Sequence, residues 1–214
     1  MEIGIRCEEA ISKQDCDCPK SSEDNYHNQT NKKMENVMCN IPYPQICVSA
    51  KNPRYASMIT KAYAGCVSET TAVMQYVYQD TVLKKRYPDL AETLSYIARV
   101  EMKHMDMLGE LICALGGDPR YHNTSDNSCA YWNATSVDYS KTPRMILLCD
   151  IEAEKKAIAE YKRLIKVICD ENVDAVLKRI IMDEERHIEI LRDCLAVYSQ
   201  PQEKYAYDMG FRRY

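Results

Sequence analysis

From residue 54 onward, apolar residues recur at three- and four-residue intervals, the period of amphipathic helices. The first such segment, 54–86, carries the stripe Met58, Ile59, Ala62, Cys66, Val73, Tyr76 and Val77, and Tyr87-Pro88-Asp89 breaks it. The second, 90–115, runs through Leu90, Leu94, Ile97, Leu108, Leu111, Ile112 and Leu115, then meets the stop signal Gly116-Gly117-Asp118-Pro119. The third, 142–169, starts at Thr142-Pro143, a cap followed by a first-turn proline. The fourth, 173–198, is striped by Val176, Leu177, Ile180, Ile181, Ile188, Leu191 and Leu195. This pattern predicts an all-α chain folded as a four-helix bundle. The first two helices are joined by a tight turn, whereas the polar stretch 118–140 between the second and third is too long for simple neighbours. A long crossover between helices 2 and 3 follows.

Polar residues interrupt the apolar stripes at matching places. Glu101 and His104 sit three apart in the second helix, and Glu184 and His187 repeat the spacing in the fourth. Residues i and i+3 share a helix face, so both side chains of each pair can reach one ion. Glu69 lies on the stripe of the first helix and Glu154 on that of the third. Their surroundings also match: Glu69-x-x-Ala72-x-x-x-Tyr76 against Glu154-x-x-Ala157-x-x-x-Tyr161. This register selects Glu154 over Glu152, which points away. Four carboxylates and two imidazoles on four helices form the donor inventory of a dinuclear metal site in a bundle core. Without thiolates, that set suits iron or manganese. Burying four glutamates with no cation would cost several kcal/mol for each unpaired charge. Tyr76, Tyr161 and Asp150 are the candidate supporting groups around the ligands. Asp183 and Glu185, which flank the last motif, are expected on the exposed face.

Composition narrows the picture. The chain of 214 residues is 46% hydrophobic and 28% charged, with six glycines and one phenylalanine, a balance that suits helices better than a sheet. A net charge of −4 argues against nucleic acid or an anionic membrane as partner. No apolar run is long enough to span a bilayer, and Met1–Arg6 lacks a basic segment followed by an apolar one, so a cytoplasmic location is expected. The count of eleven cysteines includes Cys66, Cys113, Cys149, Cys169 and Cys194 within helical segments, where they are expected as small buried hydrophobes.

The expected division is an irregular cysteine-containing N-terminal arm at 1–52, the bundle at 53–198 and a tail at 199–214. Residues 1–50 show little helical period, and Cys16-Asp17-Cys18 lacks the spacing of a metal-binding knuckle, so the arm is expected to drape loosely. His27 in the arm and His122 in the crossover are expected to be solvated.

Tyr63-Ala64-Gly65-x-x-Ser68-Glu69, Glu101-Met102-Lys103-His104 and Asp183-Glu184-Glu185-Arg186-His187 together resemble the ferritin-like superfamily, in its rubrerythrin and bacterioferritin branch. The resemblance covers 54–198. It implies a ferritin-like bundle with a carboxylate-bridged centre of two iron ions that reacts with peroxide or dioxygen, held by Glu69, Glu101, His104, Glu154, Glu184 and His187. The paired Cys-x-x-Cys of a rubredoxin domain is missing, so a peroxidase would draw on an external electron donor. Where rubrerythrins place a further glutamate in the third helix, this sequence has Ile151. Manganese catalases share the ligand set, which makes two manganese ions and peroxide dismutation the alternative, with iron sequestration a third. A homo-oligomer, a dimer, is the expected assembly.

Overall fold

The structure, a computed structural model, describes residues 35–123 and 130–199. Most of the expected arm, with Cys7, Cys16, Cys18 and His27, and nearly all of the tail lie outside these residues. The elements in chain order are α1 (Pro53–Ala64), α2 (Glu69–Leu83), α3 (Pro88–Ala114), the two-residue strands β1 (His122–Asn123) and β2 (Ala130–Tyr131), α4 (Pro143–Val167) and α5 (Glu171–Tyr198). The chain is an all-α ferritin-like bundle. The crossover between α3 and α4 contains one feature the sequence did not suggest, the short antiparallel pairing of β1 with β2.

Helix ends follow local chemistry. Asn52 caps α1 by accepting from the Tyr55 amide, with Pro53 in the first turn. Asp170 caps α5 through the amides of Asn172 and Val173. At the end of α3, Gly116 takes a left-handed φ of 87°. Its amide bonds Cys113 O and that of Gly117 bonds Ile112 O, which satisfies two carbonyls the helix leaves open.

The expected continuous helix over 54–86 is in fact two. Gly65 ends α1, and Ser68 caps α2 by accepting from the Thr71 amide. Hydroxyls take up carbonyls freed by the break: Thr70 bonds Tyr63 O at 2.7 Å, while Ser68 and Thr71 bond Gly65 O at 2.7 and 3.1 Å. The interruption resets the helical phase, so Cys66 and Val77, placed on the stripe from the sequence, are exposed.

α2 packs chiefly on α3 and α4 chiefly on α5, giving two antiparallel hairpins. The apolar core falls into two clusters. One gathers Ile59, Leu108, Leu111, Leu164, Val176 and Leu177; the other gathers Leu83, Leu90, Leu94, Ile97, Ile146, Leu147 and Leu191. Each of α3, α4 and α5 contributes to both clusters, and a polar layer lies between them.

The cysteines are not the buried hydrophobes expected. Cys66, Cys113 and Cys169 are exposed, and Cys149 and Cys194 are half-buried. Cys66 lies in the helix break and Cys169 in the turn before α5, so neither position is on a packed helix face.

Candidate metal centre

The polar layer is built from the six residues the motif spacing selects. Glu69, Glu101, His104, Glu154, Glu184 and His187 are all buried. They converge as two overlapping groups, Glu69, Glu101, His104 and Glu184 on one side, and Glu101, Glu154, Glu184 and His187 on the other. Within each group, donor atoms lie within 4.8 Å of one another. Glu101 and Glu184 belong to both groups. Glu69 and His104 belong only to the first, and Glu154 and His187 only to the second. Glu152, by contrast, is exposed.

Both imidazoles turn Nδ1 into the layer. His104 Nδ1 is 3.1 Å from Glu101 and 3.3 Å from Glu184; His187 Nδ1 is 3.1 Å from Glu184 and 2.9 Å from Glu101. Despite these approaches, Glu101 Oε1 and Glu184 Oε1 make no aligned hydrogen bond among the described residues. Buried oxygens left open in this way, amid carboxylate and imidazole donors, fit a pair of divalent cations. The ring of side chains would supply bridging glutamates to both ions and one imidazole to each.

Electrostatics reflect the crowding. Burial and the neighbouring carboxylates Glu101 and Glu184 push Glu69 and Glu154 well above the ordinary glutamate range. Burial opposes ionisation of Glu101 too, but His187 and His104 outweigh it and hold that carboxyl below its ordinary range. Burial likewise disfavours charge on His187, yet Glu101 and Glu184 raise it to about 10. His104 is raised well above an ordinary histidine by Glu184, Asp183 and Glu101 against the cost of burial.

The supporting tyrosines work across the two halves. Tyr76, on the helix of Glu69, donates to Glu154, and Tyr161, on the helix of Glu154, donates to Glu69. Asp150 is buried near the layer, but its hydrogen bonds run to Gln75 and Gln79, at 2.8 and 2.7 Å, rather than to a ligand. Burial raises it to about 7.

Asp183 corrects the expectation of an exposed face. It is fully buried, and its Oδ2 lies 3.0 Å from His104 Nε2. It also accepts from Tyr43 and from the Cys39 amide at 2.5 and 2.6 Å, and pairs with Arg179 at 2.6 Å. Arg179 in turn donates to Ile41 O and Cys39 O and stacks 4.2 Å over the Tyr43 ring. The described part of the arm is therefore bonded to α5, not loosely draped. The signal available in the sequence is the i, i+4 pair Arg179 and Asp183, which places an acid and its counter-ion on one face. Glu185 is exposed, as expected, while His122 is half-buried, with its ring 6.3 Å from that of Tyr131.

A cavity of about 170 Å³ reaches the layer. Its walls include Glu69, Ala72 and Tyr76 of α2 and Ala153, Glu154 and Ala157 of α4, together with Cys66, Ser136, Asp138, Cys149 and Lys156. α2 and α4 touch little, and their facing alanines leave the gap. Above it, Trp132 of the crossover donates to Thr71 at 2.9 Å, and the Asp138 amide bonds Gln75. The cavity reaches the buried layer between residues of both halves.

This geometry defines the class: a ferritin-like bundle whose core carries a dinuclear carboxylate site. Residues 62–195 match the rubrerythrin family model, and the chain belongs to the rubrerythrin family. A probable manganese catalase of Clostridium acetobutylicum is 26% identical over 169 residues, 71% of this chain and 74% of the relative. A bacterioferritin of Mycobacterium leprae is 28% identical over 62% of this chain and 80% of the relative. The crystal structure of a manganese catalase from Anabaena superposes with a TM-score of 0.68 at 22% identity, over 78% of this chain and 82% of that one. No helix among the described residues is long and apolar enough to cross a membrane.

Proposed function

We propose that the protein is an oxidoreductase that consumes peroxide or dioxygen at a centre of two iron ions. The observation that carries this reading is the pair of overlapping, fully buried ligand groups that share Glu101 and Glu184. When bound, the metal pair supplies the electrons and the Lewis acidity. The chain supplies the rest. Glu101 and Glu184 would bridge, while Glu69 with His104 and Glu154 with His187 would complete the two ions. Tyr76 and Tyr161 hold the terminal carboxylates in place, and the α2–α4 gap admits an oxidant of two oxygen atoms while the two apolar clusters exclude bulk water. In the iron reading an external reductant closes the cycle.

The second reading is peroxide dismutation at two manganese ions. It is favoured by the relative and the solved structure named as manganese catalases, and it needs no outside donor because peroxide serves as both oxidant and reductant. Iron sequestration is the third, supported by the bacterioferritin relative. One experiment separates them: elemental analysis of protein purified without added metal, then hydrogen peroxide addition with oxygen monitored. Two iron ions per chain and no oxygen release fit the first reading, and two manganese ions with steady oxygen release fit the second. Uptake of many irons per chain fits the third. A chain that takes up no metal on reconstitution sinks all three. For the assembly we propose a homodimer, tested by light scattering on the eluting protein.

A further inference from the structure

The two halves of the centre match in their ligands but differ in what stands behind them. His104 Nε2 meets Asp183, which Arg179, the Tyr43 hydroxyl and the Cys39 amide all hold. His187 Nε2 is buried and finds no partner among the described residues. The repeat explains why. Asp183 immediately precedes Glu184, and the matching position before Glu101 is Val100, an apolar buried residue that can accept no hydrogen bond. A ligating imidazole whose second nitrogen donates to a carboxylate is fixed in tautomer and orientation and is the more basic ligand, an effect of about 10- to 100-fold in metal affinity.

We propose that the two metal subsites are unequal: the His104 subsite holds its ion tightly, the His187 subsite releases and exchanges its ion, and the N-terminal arm creates the difference through Tyr43 and Cys39. This rests on the dimetal reading above. Tyr43 and Asp183 act as positioning residues: neither belongs to a ligand group, and both set how firmly His104 is aimed. The arm is thereby part of the centre, because undocking it would leave Asp183 with fewer partners and His104 less firmly oriented. Tyr43 also stands edge-on to the His104 ring, with centroids 6.3 Å apart, which restricts the imidazole from a second side.

The test is titration of the metal-free full-length chain with cobalt(II), followed by calorimetry and by the visible absorption of the bound ion. Two cations that share two carboxylates repel, so two binding steps alone decide nothing; the variants do. His187→Ala is expected to keep one tight equivalent, and His104→Ala to keep only a weak one, about 10- to 100-fold apart. Tyr43→Phe and Asp183→Asn are expected to weaken the equivalent that His187→Ala retains, while leaving the one that His104→Ala retains unmoved. Equal residual affinities in the two histidine variants would overturn the proposal, as would a Tyr43→Phe effect spread evenly over both equivalents. No cobalt uptake by the unsubstituted chain would defeat the dimetal reading itself, a result distinct from two equal sites.

Discussion

Tyr161 and Glu69 lie on helices from opposite halves of the chain, and the tyrosine hydroxyl donates to the glutamate carboxylate inside the buried layer. Tyr76 and Glu154 repeat the relationship in reverse. Each half thus donates a hydrogen bond to a buried carboxylate of the other. Tyr161→Phe removes a donor from a buried carboxyl and is expected to cost about 1–3 kcal/mol in the metal-free protein. Urea unfolding of metal-free and metal-loaded protein measures it, with the smaller loss expected in the loaded form, where a cation also compensates Glu69.

Shared and unshared ligands are expected to fail differently. Glu101 belongs to both groups and Glu69 to one. Glu101→Ala should abolish binding of both ions, whereas Glu69→Ala should lower the stoichiometry from two to about one. Metal analysis after gel filtration of the reconstituted variants reads the difference.

Stability of the metal-free protein should fall as pH rises. His187 is raised to about 10 from 6.5, so the folded chain keeps a proton that the unfolded chain releases. Its contribution is full below about 6.5 and is lost as pH climbs through about 10. Asp150, raised to about 7 from 3.8, acts in the same direction at lower pH: its contribution is full below about 3.8 and lost through about 7. Thermal melts from about pH 4 to about pH 10 should show a continuous decline, and Asp150→Asn should flatten the part below about pH 7. Metal uptake expels the histidine protons, so apparent metal affinity should rise over the same interval as His187 becomes easier to deprotonate.

Arg179 is the counter-ion of the fully buried Asp183 and also anchors the arm through Ile41 O and Cys39 O. Arg179→Met leaves that carboxylate with a lost charge partner and is expected to cost about 3–5 kcal/mol. Denaturant unfolding gives the magnitude. The double variant Arg179→Met, Asp183→Asn, which removes the stranded charge, should recover part of the loss.

Much of the candidate centre is legible in the sequence, because its candidate ligands obey helical arithmetic. Glu101 with His104 and Glu184 with His187 lie at i and i+3 on apolar stripes, and no folding of the chain can place the members of such a pair on opposite faces of one helix. The choice of Glu154 over Glu152 rests on the same periodicity. The end of α3 is legible for a different local reason: Gly116 and Gly117 close the helix by hydrogen bonds that reach back no farther than Ile112. The break between Ala64 and Glu69 is hidden, because so short an interruption leaves apolar residues on both sides. Its shift in phase shows only once each residue is seen buried or exposed.

Most of the helical segments, the shared face of the candidate ligand pairs and the repeat relating the two halves follow from local sequence, since each depends on neighbours within a turn or two along the chain. What lies between the helices was settled by their packing. It sent Tyr76 to Glu154 rather than to its own helix, buried Asp183 against His104, bonded the arm to Arg179 and left His187 Nε2 without a partner among the described residues. Those outcomes depend on atoms distant in sequence meeting in a dry core. There an unpaired polar group is costly, so the joint packing of all the helices, rather than any local pattern, selects which groups pair.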